Sequence, residues 1–144
     1  TRWPGRLEII HRDPLTVIDV GHTPAAIMAA LEGLSRMGRF GTLICGASHD
    51  KSAVGMITLL APHFSTIVCT AARHKGSDPA IIAEAARSAN PAARILQAPA
   101  AEAAWSLARD HTPRDTGIYI GGGLFLAMEL AAAVRGEPLV DPFF

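Results

Sequence analysis

The chain has 144 residues, 49% of them hydrophobic and 18% charged, with 13 basic and 13 acidic side chains in balance. That size supports one domain able to bury roughly two-thirds of its unfolded surface without a disulfide or metal staple. The balanced charge excludes an overall field that would draw nucleic acid or an anionic membrane, and leaves small molecules as the expected partners.

The opening, Thr1-Arg2-Trp3-Pro4-Gly5, has no charged leader followed by an apolar core, and reads as the beginning of an excised piece. Apolar runs at 7–10 and 15–18 are joined by His11-Arg12-Asp13-Pro14, which predicts a hairpin because Asp and Pro favour a tight turn. From there strand and helix alternate. Strands are expected at 42–45, 66–69, 94–97 and 118–120. The first helix follows Thr23 as N-cap and Pro24 at the first helical position, with Ile27, Ala30, Leu31, Leu34 and Met37 at helical spacing. A second runs over 52–60 and stops before Pro62, and a third starts at Asp78-Pro79 and closes near Asn90-Pro91. Two more are expected at 102–110 and 124–134.

The stretch 117–134 carries only Glu129 as a charge and is long enough to be weighed as a membrane span, but Gly121-Gly122-Gly123 divides it into a strand-length and a helix-length half. Cys45 and Cys69 each sit in an apolar run with no metal-ligand spacing, and read as reduced core thiols of a cytoplasmic protein. The sum is an α/β, Rossmann-like three-layer domain over 1–144, with a six-stranded, mostly parallel sheet, one antiparallel edge strand and about five helices.

Ligands of an open parallel sheet bind beyond the carboxyl ends of its strands. The polar loops fall there: Asp19-Val20-Gly21-His22-Thr23-Pro24, then 46–52 with Lys51, then 71–78 with Arg73, and the glycine triplet ending in Gly123. Each has a plain alternative. Asp19 could cap a turn, His22 could be a solvated loop side chain, Arg73-His74-Lys75 could be a solvated basic run, and the glycines could make a close-packed turn. Lys51 near a helix start opposes the helix dipole, which favours an anionic ligand beside it. Gly41 and Gly46 have P-loop spacing, but Ala47-Ser48 follows them in place of Lys and Ser or Thr, and no G-x-G-x-x-G is present. ATP chemistry would therefore need a second domain.

Taken in order, Trp3-Pro4-Gly5-Arg6-Leu7-Glu8, Asp19-Val20-Gly21-His22-Thr23-Pro24, Asp50-Lys51 and Gly121-Gly122-Gly123-Leu124-Phe125-Leu126 resemble the C-terminal domain of folylpolyglutamate and dihydrofolate synthases, within the Mur ligase superfamily. Those enzymes show G-R-L-E, D-G-A-H-N-P, D-K-D and G-S-L-[FY]. Here Thr23 stands for the Asn, Ser52 for the second Asp and Gly123 for the Ser, and the His-Thr-Pro form is similar to a Mur ligase that builds peptidoglycan peptides.

The resemblance implies a ligase that activates a folate-type carboxylate as an acyl phosphate for attack by the amine of glutamate. It implies ATP and Mg2+ held mostly by a preceding P-loop domain, with no cofactor on this domain alone and no ligation by it alone. It assigns Asp19 and His22 to the nucleotide, with His22 beside the reacting phosphates, and Lys51, Arg73 and Gly123 to the incoming amino acid. Asp19, His22, Lys51 and Arg73 are expected to line one solvent-open face of positive potential. The alternatives are a Mur-type amino-acid ligase domain and a non-catalytic ligand-binding module of the same fold.

Overall fold

A computed structural model of the chain describes residues 7–21, 23–47, 52–73, 76–121 and 124–136. The hairpin forms first, from β1 (Glu8–Arg12) and β2 (Leu15–Asp19). Helix α1 (Pro24–Met37) leads to β3 (Phe40–Ala47), and α2 (Ser52–Leu60), extended by a single 3-10 turn at Ala61–His63, leads to β4 (Thr66–Ala71). Then come α3 (Pro79–Ala89), β5 (Arg94–Gln97), α4 (Ala101–His111), β6 (Gly117–Gly121) and α5 (Leu124–Arg135). All six expected strands and five expected helices are present.

Capping chemistry explains where the helices start. Thr23 takes the Ala26 N–H on its hydroxyl at 3.1 Å, and Asp78 takes the Ala80 N–H on its carboxylate at 2.9 Å, in each case just ahead of a proline. Asn90 closes α3, and its side-chain amide donates to the carbonyls of Ala61 and Phe64 at 2.8 and 2.9 Å. The chain between α2 and β4 is thereby tied to the end of α3. Helix α4 differs: its N-cap is Ala100, which has no side-chain acceptor to offer.

The sheet runs β1-β2-β6-β3-β4-β5, and only the β1–β2 pair is antiparallel. Strands β2 and β3, consecutive in sequence, are not neighbours in the sheet. Instead β6 is inserted between them, pairing Asp19 with Gly121 on one side and Gly121 with Cys45 on the other. Alternate residues along the strands feed two separate cores. Val17, Leu43, Ile67 and Tyr119 pack beneath α1, α2 and α3, while Ile18, Ile44, Val68 and Ile120 pack against α4 and α5.

Both helical layers are therefore sealed by strand side chains, as a three-layer α/β domain requires. Burial of about 25 cal/mol per Å² of apolar surface stabilises such a core. No helix among the described residues is long and apolar enough to cross a membrane, because the glycine-bearing segment divides into β6 and α5.

The insertion of β6 also fixes where a ligand can enter. Helices α1 and α2, which follow β2 and β3, lie on one face of the sheet, whereas α5, which follows β6, lies on the other. The chain thus leaves adjacent strand ends in opposite directions beyond the carboxyl ends of β2, β6 and β3, the position at which open α/β sheets take their ligands.

Candidate functional site at the carboxyl ends of the strands

Asp19 is the last residue of β2 and is only 5% exposed. Its Oδ2 accepts the backbone N–H of Leu7 at 3.1 Å, and its Oδ1 accepts that of Gly21 at 2.8 Å. One carboxylate thus joins the segment entering the hairpin to the loop leaving it, in charge-assisted bonds stronger than neutral ones. Leu7 is held at φ 47°, in the left-handed region that a leucine seldom adopts without such restraint.

Gly21 is equally constrained. A Cβ there would lie 2.8 Å from the Cβ of Ala26 and 2.9 Å from Oδ1 of Asp19, so only glycine lets the loop pass this close to α1. The turn-capping alternative for Asp19 is therefore present in the geometry. It leaves capacity on the carboxylate, since each oxygen has two lone pairs and each meets one of these donors.

Beneath this loop lies Tyr119, which stacks on Phe64 with ring centroids 6.0 Å apart. Burial raises the Tyr119 hydroxyl above the ordinary tyrosine range, and the nearby carboxylate of Asp19 acts in the same direction. The ring is neutral and belongs to the core beneath α1, α2 and α3. Cys45 and Cys69 face each other in register on β3 and β4, and burial pushes both thiols up to about 12. Both are free and neutral, as their sequence surroundings suggested.

Arg73 follows β4 and its side chain is exposed. Its backbone N–H donates to Oε2 of Glu129 on α5 at 2.7 Å. Glu129 is 7% exposed and was the residue that sequence reasoning noticed only as an isolated charge. The available signal was a single carboxylate in an otherwise apolar helix. Three residues before Arg73, Thr70 on β4 is fully enclosed, and its hydroxyl has no hydrogen-bond partner among the described residues.

The sheet thus brings Asp19 and Arg73 to the same edge without joining them. With β6 and β3 between β2 and β4, their strands stand about 14 Å apart. Asp19 is bonded on the α1 side, and the Arg73 backbone is held from the α5 side. His22, Lys51 and Gly123, the other residues expected at the site, lie outside the described residues. Among the described residues no group of three or more His, Cys, Asp or Glu could hold a metal ion.

Known proteins resemble this chain in sequence and fold. The chain is 30% identical over 128 residues to a probable bifunctional folylpolyglutamate synthase/dihydropteroate synthase of Haloferax volcanii, a match covering 88% of this chain and 15% of that protein. The corresponding protein of Halobacterium salinarum is 28% identical over 128 residues, with 88% and 16% covered. Among solved structures, Mycobacterium tuberculosis folylpolyglutamate synthase, complexed with ADP and AMPPCP, superposes with a TM-score of 0.79 at 25% identity, covering 97% of this chain and 34% of that one. The bifunctional folylpolyglutamate synthase/dihydrofolate synthase of Yersinia pestis, complexed with AMPPNP and Mn ion, shares the fold at 22% identity and a TM-score of 0.71, covering 94% of this chain and 31% of that one.

The chain spans about one-sixth of the length of the curated relatives and one-third of that of the solved structures. The model of the Mur ligase, glutamate ligase domain matches residues 5–123, which take in every strand. By that match the chain belongs to the Mur ligase glutamate ligase domain family.

Proposed function

We propose that this chain is the C-terminal domain of an ATP-dependent ligase that joins glutamate to a folate-type carboxylate. The observation that supports the reading is the sheet order, in which β2, β6, β3 and β4 run parallel and end at one edge with Asp19 and Arg73 at or just beyond two of those ends, in a chain of the glutamate ligase domain family. In the reaction, a carboxylate oxygen of the acceptor attacks the γ-phosphorus of ATP, and ADP leaves. The amine of glutamate then attacks the acyl carbon, loses a proton and expels phosphate, so that one amide bond forms for each ATP consumed.

The roles divide by charge. Asp19, already fixed by its two backbone donors, has the remaining acceptor capacity to take a ribose hydroxyl. His22, in the next loop position but one after Val20, lies beside the transferring phosphoryl group. Lys51 and Arg73 hold the carboxylates of glutamate, and Gly123 lets the backbone ahead of α5 approach it. Holding both partners in line converts a bimolecular attack into an effectively unimolecular one. ATP phosphates and Mg2+ are bound by a separate P-loop domain, where the metal offsets phosphate charge.

The exchange of Asn for Thr23 does not alter this assignment, because the Thr23 hydroxyl serves as a helix N-cap, a task Asn performs equally well. The Mur-type alternative therefore gains nothing from that residue. Free thiols at Cys45 and Cys69 suit the reducing cytoplasm, where we place the enzyme.

The test is a ligation assay with ATP, glutamate and a reduced folate, following product and phosphate together. The enzyme carrying this domain with its P-loop domain is expected to form one amide per phosphate released, and the 144-residue chain alone to form none. His22→Ala is expected to lower kcat by roughly 100-fold or more. Turnover by the isolated chain, or amide formation with another amino acid but not glutamate, would contradict the proposal.

A further inference from the structure

We infer that Glu129 is a positioning residue for the amino-acid end of the site: it fixes the segment after β4, and with it Arg73, against α5. The inference rests on the reading of Arg73 as a carboxylate-binding residue. Glu129 is the sole charge in 117–134 and is almost wholly enclosed between Leu126, Ala127 and Leu130 of its own buried helix face. An ionised carboxylate is costly in such surroundings unless donors or positive charge meet it.

One donor meets this one. The Arg73 N–H donates to Oε2 at 2.7 Å, a short charge-assisted bond spanning 56 residues of sequence. The first turn of α4 borders the same small cavity, where Ala101 and Glu102 line it together with Arg73 and Glu129. That turn is the positive end of a helix dipole, and its N-cap, Ala100, brings no acceptor of its own. Glu129 is thus held by that one hydrogen bond, beside a helix N-terminus whose first turn also brings the Glu102 carboxylate to the cavity. Its remaining effect is outward, on where the chain carrying the exposed Arg73 side chain leaves the sheet.

A buried acid that merely stitches α5 to β4 would affect folding alone. A positioning residue also affects how well Arg73 meets its ligand, since guanidinium recognition of a carboxylate depends on a fixed geometry. The two roles separate in a double-mutant cycle on the full-length ligase, with glutamate and ATP varied independently. Glu129→Ala is expected to raise KM for glutamate roughly 10-fold, with KM for ATP unchanged, the size of one lost charge-assisted hydrogen bond. Glu129→Gln, whose amide oxygen still accepts the Arg73 N–H, is expected to stay within about 2-fold of the parent.

In an Arg73→Ala background, adding Glu129→Ala is expected to change KM for glutamate little further, because both substitutions remove one device. Independent, additive effects would overturn the inference. So would a Glu129→Ala enzyme whose loss falls only on kcat or folded yield. Should that variant not accumulate, Glu129→Asp, with its carboxylate drawn back by one methylene, takes its place in the cycle with the same two outcomes. A parent enzyme that joins no glutamate would refute the ligase reading itself, whereas a parent that ligates normally with an additive cycle refutes only the role of Glu129.

Discussion

Asp19 shows how one side chain can belong to the fold and to the site together. Its carboxylate replaces two backbone acceptors for Leu7 and Gly21, so the loop that bears His22 starts from a fixed point. Asp19→Ala leaves both N–H groups unpaired and is expected to cost about 2 kcal/mol in urea unfolding, with Asp19→Asn losing less because the side-chain oxygen can still accept one of them. An Ala variant as stable as the parent would show that these bonds contribute nothing. The cysteines give a pH signature. Their ordinary pKa near 9 is raised to about 12 by burial, so the folded state holds its thiol protons more tightly than the unfolded chain. Their contribution is complete below pH 9 and is lost as pH rises from 9 towards 12. Stability should fall over that window in the parent and fall less in a Cys45→Ala, Cys69→Ala double variant; identical pH profiles would contradict the assignment.

Elements were legible in the sequence wherever local chemistry sets them. Thr23-Pro24 and Asp78-Pro79 mark helix starts that the caps reproduce, and Asp13-Pro14 marks the hairpin turn. Strand lengths were less legible, since β3 begins at Phe40, two residues before its continuous apolar run, across an irregularity in its pairing with β6. Strand order was not legible, because insertion of β6 between β2 and β3 is decided by packing between segments some hundred residues apart. The Arg73–Glu129 bond was hidden for the same reason: a hydrogen bond across 56 residues leaves no periodic trace. Thr70 is the element-scale oddity. Its buried hydroxyl has no partner among the described residues, whereas its strand neighbours are otherwise apolar or paired. Thr70→Val keeps the shape and removes the unsatisfied group, and is expected to raise Tm by roughly 3 °C. An unchanged or lower Tm would mean that the hydroxyl has a partner after all.

At the scale of the whole molecule, the domain presents one edge of a doubly covered sheet to whatever docks against it. Asp19 stands on one side of that edge and Arg73 some 14 Å away on the other, with the end of β6 between them. That separation suits two ligands approaching from different directions better than one small molecule, which agrees with a nucleotide near β2 and an amino acid near β4. The sequence alone could list the residues at this edge but could not space them, because spacing follows strand order. The β4 side of the edge is proposed to handle glutamate, and steady-state kinetics of the full-length ligase put that assignment to the test. Arg73→Ala and Lys51→Ala should each raise KM for glutamate about 10-fold or more while leaving KM for ATP within roughly 2-fold. Substitutions that leave KM for glutamate untouched, or raise KM for ATP instead, would contradict it.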